Sequence, residues 1–146
     1  MLGLGQLVSM SYTEKPHWKK RYTISSLSKR DEGTHYVYRA SVLGGYRPRL
    51  PLIEIYSDIV SPTSPCKVNC TCEYYRFKVA LGLSRAGATT SIIRKEDIPA
   101  TFTRGSKPGL CPHLYQLAEA ILLSIKEDNN PEAKTGSVNS KLKGLT

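Results

Sequence analysis

The chain has 146 residues, enough for one domain with a modest hydrophobic core. No stretch approaches the roughly 20 apolar residues that cross a bilayer, which argues against a membrane protein and predicts a soluble one. The formal net charge of +9 is concentrated in residues 1–50, which hold nine basic residues against three acidic ones. Residues 1–8 lack a charged start and a small-residue cleavage site, so no secretory signal peptide is predicted.

The N-terminal half of the chain predicts β-structure. Residues 18–28 and 34–43 are rich in β-branched and aromatic side chains, and a turn signal at 29–33 separates them. Together they predict a β-hairpin. Residues 51–56 predict a third strand, and the proline-containing run at 61–65 predicts a connector.

The second half predicts two helices separated by a loop. Residues 73–84 fit a short helix, and the prolines and glycines of 86–110 favour a loop. Residues 113–125 predict the clearest helix, because their apolar residues recur at i, i+3, i+4, i+7 and i+8. The predicted fold class is α+β, with a small antiparallel sheet (a hairpin plus a third strand) packed with the two helices around one zinc site.

These elements divide the chain into three parts. Residues 1–17 are predicted to form an N-terminal arm, residues 18–125 a single α+β domain, and residues 126–146 a flexible polar tail. The tail has too little apolar surface to repay the entropy of folding alone. We therefore expect it to become ordered only along a partner.

All four cysteines and one of the three histidines fall in two short clusters, at residues 66–72 and 111–113. Thiolates with an imidazole are common ligands of structural zinc. Donors at positions i and i+2 of an extended segment project to the same side, so both members of such a pair can reach one ion. An iron–sulfur cluster, disulfides or free thiols are the alternatives.

The spacing Cys70-x-Cys72, followed by Cys111-x-His113, resembles the SWIM zinc finger, whose signature is C-x-C-xn-C-x-H in a ββα layout. The resemblance covers about residues 66–122. It implies that Cys70, Cys72, Cys111 and His113 are the zinc ligands. Cys66 is left over: it replaces one of these ligands, completes a four-cysteine site, or lies buried as a small apolar residue.

The same segments resemble SWIM-like segments of small tailed-bacteriophage proteins, which implies a virion component of the tail, baseplate or neck. We expect a non-enzymatic structural or adaptor protein that contacts other subunits of a larger assembly and has no small-molecule substrate. A catalytic reading of Cys111 and His113 as nucleophile and base would require the imidazole to leave the metal. Outside a virion, the expected location is the cytoplasm.

A nucleic-acid-binding module is the alternative function. Basic and aromatic residues alternate around the N-terminal hairpin, a mixture that suits phosphates and stacked bases. A solvated sheet face, or a patch that meets an acidic protein, would have the same composition. The candidate contacts are Lys19, Lys20, Arg21, Arg39, Arg47 and Arg49.

Overall fold

Three helices and one four-stranded sheet make up the described part of the chain. The computed structural model describes residues 2–11, 21–45, 47–91, 93, 96, 98 and 106–128. Its elements are helix α1 (Leu4–Met10), strands β1 (Thr23–Asp31), β2 (Tyr36–Leu43), β3 (Leu52–Ile55) and β4 (Cys66–Asn69), helix α2 (a π-helical turn, Tyr75–Val79, continued by the α-helix Ala80–Arg85) and helix α3 (Pro112–Asp128). The predicted α+β class is confirmed.

The strands form a single antiparallel sheet in the order β1-β2-β3-β4. The predicted hairpin is present, but Asp31 pairs with Tyr36, so its turn lies slightly later than 29–33. The Asp31 carboxylate accepts a hydrogen bond from the Gly33 N–H at 2.8 Å, which closes the turn at that position. Strand β3 matches the third predicted strand.

Strand β4 has no counterpart among the predicted elements. It directly follows the predicted connector and pairs with β3, so that Cys66 lies opposite Ile55 and Val68 lies opposite Ile53. Cys66 and Val68 are fully buried, whereas the intervening Lys67 is half-buried. This alternation places Cys66 on the core face of the sheet.

Helix α1 differs from the expected N-terminal arm over residues 1–17. Leu4 and Leu7 are fully buried, and the Leu2 carbonyl accepts a hydrogen bond from the Cys66 N–H at 3.0 Å. Residues 2–11 therefore belong to the core and bond the outer edge of β4 at Cys66, while residues 88–90 bond the same edge at Val68. The domain boundaries at 17/18 and 125/126 stay predictions, since residues 12–20 and 129–146 lie outside the described residues.

Helix α3 supplies more residues to the core than either of the other two described helices. It begins at Pro112 and extends to Asp128, three residues beyond the predicted end. Its predicted apolar stripe is the buried face and meets inward-facing side chains of β2 and β3. Within the described ranges, no helix is long and apolar enough to cross a membrane.

Candidate metal centre

Three cysteines and one histidine converge where α2 and α3 begin. One donor atom from each of Cys70, Cys72, Cys111 and His113 lies within 4.8 Å of all the others, and all four residues are buried. Zinc–sulfur bonds of about 2.3 Å in a tetrahedron place two sulfurs about 3.8 Å apart. No separation exceeds that value by more than about 1 Å. The structure thus brings together the four residues that the SWIM resemblance implies.

The donor set fits a bound metal ion. The Nδ1 atom of His113 is buried and has no hydrogen-bond partner among the described residues. Leaving such a polar atom unsatisfied costs roughly 1–3 kcal/mol, and coordination would remove that cost. Three thiolates and an imidazole favour soft or borderline ions over calcium and magnesium, which prefer oxygen ligands.

Two of the cysteines also cap the helices that flank the cluster. The Cys72 sulfur accepts a hydrogen bond from the Tyr75 N–H at 3.4 Å, and the Cys111 sulfur accepts one from the Leu114 N–H at 3.4 Å. A side chain that bonds the N–H three residues later is behaving as an N-cap. The first turns of α2 and α3 therefore direct N–H groups and partial positive charge at the sulfurs, which favours thiolates over thiols.

The clustered thiols differ in how readily they lose a proton. The pKa of Cys72 is lowered, chiefly because the Cys111 thiol, and then the Cys70 thiol, hydrogen-bond to its sulfur. Burial raises the pKa of Cys111. One sulfur therefore carries negative charge while a neighbour keeps its proton. Because metal ligands must be deprotonated, binding of an ion displaces protons, and metal affinity falls as pH falls.

Cys66 lies apart from the cluster. Its thiol donates to the Leu2 carbonyl at 3.6 Å, on the side of β4 covered by the N-terminal segment. Burial raises the pKa of Cys66 to about 12, so this thiol stays protonated at neutral pH. Of the alternatives open for Cys66, the structure favours the buried apolar residue.

The side chain of Ser106 bonds the backbone of α2 and so links the segment after Cys70 and Cys72 to the segment before Cys111 and His113. The Ser106 hydroxyl accepts from the Gly82 N–H at 2.9 Å and donates to the Lys78 carbonyl at 3.2 Å. These two backbone groups are four residues apart and would bond each other directly in a regular α-helix. An inserted side chain is a known cause of such irregularity, and the π-helical turn lies immediately upstream. The helix that follows Cys72 is thereby fastened to the segment that precedes Cys111.

Gly82 makes this approach possible. A Cβ atom at this position would lie 2.3 Å from the Lys107 carbonyl carbon and 2.6 Å from the Pro108 nitrogen. Both are backbone atoms, so they could not yield without moving the chain. The sequence predicts a helix and a loop here, but it carries no signal that they touch at Gly82.

The imidazole of His113 packs against a tyrosine that lies just ahead of β1. The Tyr22 and His113 rings meet edge to face, with centroids 5.1 Å apart. Gly44, at φ +135°, leaves room for Tyr22, since a Cβ atom there would lie 2.6 Å from the Tyr22 Cδ1 atom. Neither residue is among the predicted site residues. The Gly44-Gly45 pair is a turn signal in the sequence and does not point to a metal centre.

The predicted cationic contacts occupy different surroundings. Arg21, Arg39 and Arg47 are exposed. Arg49 donates from Nη1 to the Thr71 carbonyl at 3.3 Å, and Thr71 lies between two of the clustered cysteines. Arg49 therefore orients the Cys-x-Cys segment and brings positive charge to its flank. Lys19 and Lys20 lie outside the described residues.

Comparison with known proteins gives no match to a family model, to a curated protein or to a solved structure. The SWIM resemblance thus rests on the spacing of Cys70, Cys72, Cys111 and His113. The geometry shows a buried, zinc-finger-like group of three cysteines and one histidine that could hold a metal ion.

Proposed function

We propose that Cys70, Cys72, Cys111 and His113 bind one structural zinc ion, and that the chain is a non-enzymatic adaptor that contacts other proteins in a larger assembly. The observation that carries this proposal is the closure of the site. Four buried protein donors suffice for a tetrahedron, so no coordination position is left for water. Catalytic zinc sites keep such a position open.

The geometry favours a single ion over the other uses of cysteine. An iron–sulfur cluster places its own iron and sulfide atoms between the thiolates, and so holds them farther apart than one ion does. Donor atoms within 4.8 Å of one another suit one ion. None of the four cysteines forms a disulfide, so disulfides do not account for the clustering.

Zinc at this position would stabilise the fold by joining distant parts of the chain. Cys70 and Cys72 directly follow β4, whereas Cys111 and His113 lie at the start of α3. Binding of structural zinc contributes on the order of 10 kcal/mol to the folding of small domains. With stabilisation of this size, a domain with a small core would not need to cover both faces of its sheet, and one face could contact a partner.

Metal analysis of the purified full-length chain tests the zinc site. We expect about one zinc ion per chain, and loss of the helical circular-dichroism signal when a strong chelator removes it, because metal-binding energy is also folding energy. The control is the same chelator already saturated with zinc. A chain that keeps its helical signal without any metal would contradict the structural role.

The adaptor role is tested in the native assembly. The chain should be a stoichiometric component of a purified complex, and the bacteriophage resemblance predicts that this complex is a virion. A zinc-loaded chain that copurifies with no other protein would contradict the adaptor role while leaving the zinc site intact.

Arg49 offers a test of how the site is held. Arg49→Gln should weaken zinc binding about tenfold, because residues that orient metal ligands typically contribute 10–100-fold to affinity. Competition with a chromophoric chelator measures this change. Arg47→Gln removes the same charge from a nearby exposed position and should leave zinc affinity unchanged. Equal affinities of the two variants would show that the Thr71 contact plays no part.

A further inference from the structure

A pocket of about 370 Å³ opens on the face of the sheet opposite α3. Arg39 lies between Tyr38 and Ala40, which belong to the core, so its side chain points to the other face. The strand register places Ser28, Arg39, Leu52 and Asn69 in one row across the sheet. With Ser26 and Leu50, they line what we call the Arg39 pocket.

Arg39 is the single charged residue in the lining of this pocket. Its guanidinium has no ion-pair partner in the part of the chain that the structure describes. Neighbouring cations of the sheet are engaged: Arg30 pairs with Glu32, and the Lys67 ammonium lies 5.6 Å from the centre of the Tyr56 ring. Arg39 therefore presents an uncompensated positive charge to the pocket.

Neutral donors and an apolar wall surround this charge. Ser26 and Ser28 belong to the lining, and a serine hydroxyl can donate to an anion. Asn69 accepts from the Ser91 hydroxyl at 2.6 Å through Oδ1, which leaves its amide N–H groups for the pocket. Leu50 borders the pocket and is 72% exposed, so it offers apolar surface beside the charge. The pocket thus combines donors for an anion with surface for an apolar chain.

We propose that the Arg39 pocket binds an aspartate or glutamate side chain carried by an apolar-flanked segment of a partner protein. A guanidinium binds a carboxylate through two parallel N–H···O bonds, and the serine and asparagine donors complete the set. This inference rests on the proposed adaptor function and specifies the chemistry of the partner.

Nucleic acid fits this face less well. Within the pocket a single guanidinium would neutralise about one phosphate, whereas nucleic-acid affinity depends on releasing counterions from several. Glu54 lies on the same face as Arg39, one row along, and its carboxylate would repel a phosphate backbone. A single carboxylate can bind in the pocket without coming close to Glu54, whereas a phosphate backbone would carry further negative charges past Glu54.

Selection from a random 12-residue peptide display library on the zinc-loaded full-length chain tests the proposal. We expect enrichment of peptides with an acidic residue beside apolar ones. In fluorescence anisotropy, Arg39→Gln should weaken binding of a selected peptide about tenfold, since it removes the charge-assisted hydrogen bonds to the carboxylate. Arg39→Lys should recover part of the loss, because it keeps the charge without the fork. Arg85→Gln removes the same charge from α2, outside the pocket, and should change affinity less than twofold.

Several results would overturn the proposal. Selected peptides without acidic residues would do so, as would equal effects of Arg39→Gln and Arg85→Gln. Binding of random-sequence DNA that Arg39→Gln abolishes would assign the pocket to nucleic acid instead.

The native assembly separates this proposal from the adaptor function on which it rests. If Arg39→Gln joins the assembly as well as the wild-type chain does, while Cys70→Ala is excluded, the pocket proposal is wrong and the adaptor role stands. Failure of the zinc-loaded wild-type chain to enter any assembly would overturn the adaptor role itself.

Discussion

Replacing Cys70, Cys72 or Cys111 by alanine is expected to abolish stoichiometric zinc binding and to lower the free energy of unfolding by roughly 5 kcal/mol or more. The reason is that a site with three ligands forfeits much of the binding energy that stabilises the fold. Because a domain of this size has a total stability of about 5–15 kcal/mol, some of these variants should be largely unfolded. Elemental analysis and urea unfolding at a fixed free-zinc concentration measure both effects.

Cys66→Ala is the matched control for these variants. Its thiol is equally buried but bonds to the Leu2 carbonyl, away from the cluster. Truncating it removes one small apolar group from the core, which should cost about 1 kcal/mol and leave zinc content unchanged. Zinc loss in Cys66→Ala, together with full zinc retention in His113→Ala, would establish a four-cysteine site and contradict the assignment.

Gly82→Ala should destabilise the protein by about 3 kcal/mol or more, although alanine is the better helix former by about 1 kcal/mol. The added methyl would lie 2.3 Å from the Lys107 carbonyl carbon, so α2 would have to move away from the segment that leads to Cys111. Zinc affinity should fall as well, because the two halves of the cluster would separate. Thermal unfolding and chelator competition report on the two effects.

Gly87→Ala provides the comparison, since a Cβ atom there would have no neighbour within 4 Å. Its φ of +69° makes alanine unfavourable by only about 1–2 kcal/mol, and zinc affinity should stay the same. A stabilised Gly82→Ala variant would mean that helix propensity decides the outcome and that the close approach does not constrain the chain.

The hairpin and the last helix could be predicted because their signals are local. The apolar periodicity of residues 113–125 depends only on the local sequence, and these apolar residues form the buried face of α3. The i and i+2 spacing of the cysteines is likewise local. Even so, the hairpin turn lies slightly later than 29–33, and the Asp31 carboxylate bonds the Gly33 N–H within it.

The elements that were missed depend on contacts between distant residues. Helix α1 is only seven residues long, too short to be stable alone, and it forms because the core buries Leu4 and Leu7. Strand β4 becomes recognisable only once β3 is beside it, and that register also decides which way Cys66 points. The Ser106 insertion into α2 spans 28 residues from Lys78, a separation that no local pattern encodes.

Because Cys72 and Cys111 each begin a helix, the two sulfur atoms that initiate helices are also two of the proposed metal ligands. Oxidation of either thiolate, or extraction of the ion, would release the first-turn N–H groups of α2 or α3 to solvent. Slow amide hydrogen exchange at these two helix starts should therefore disappear in concert. A chemical change confined to a few atoms would thus destabilise the first turns of two of the three described helices.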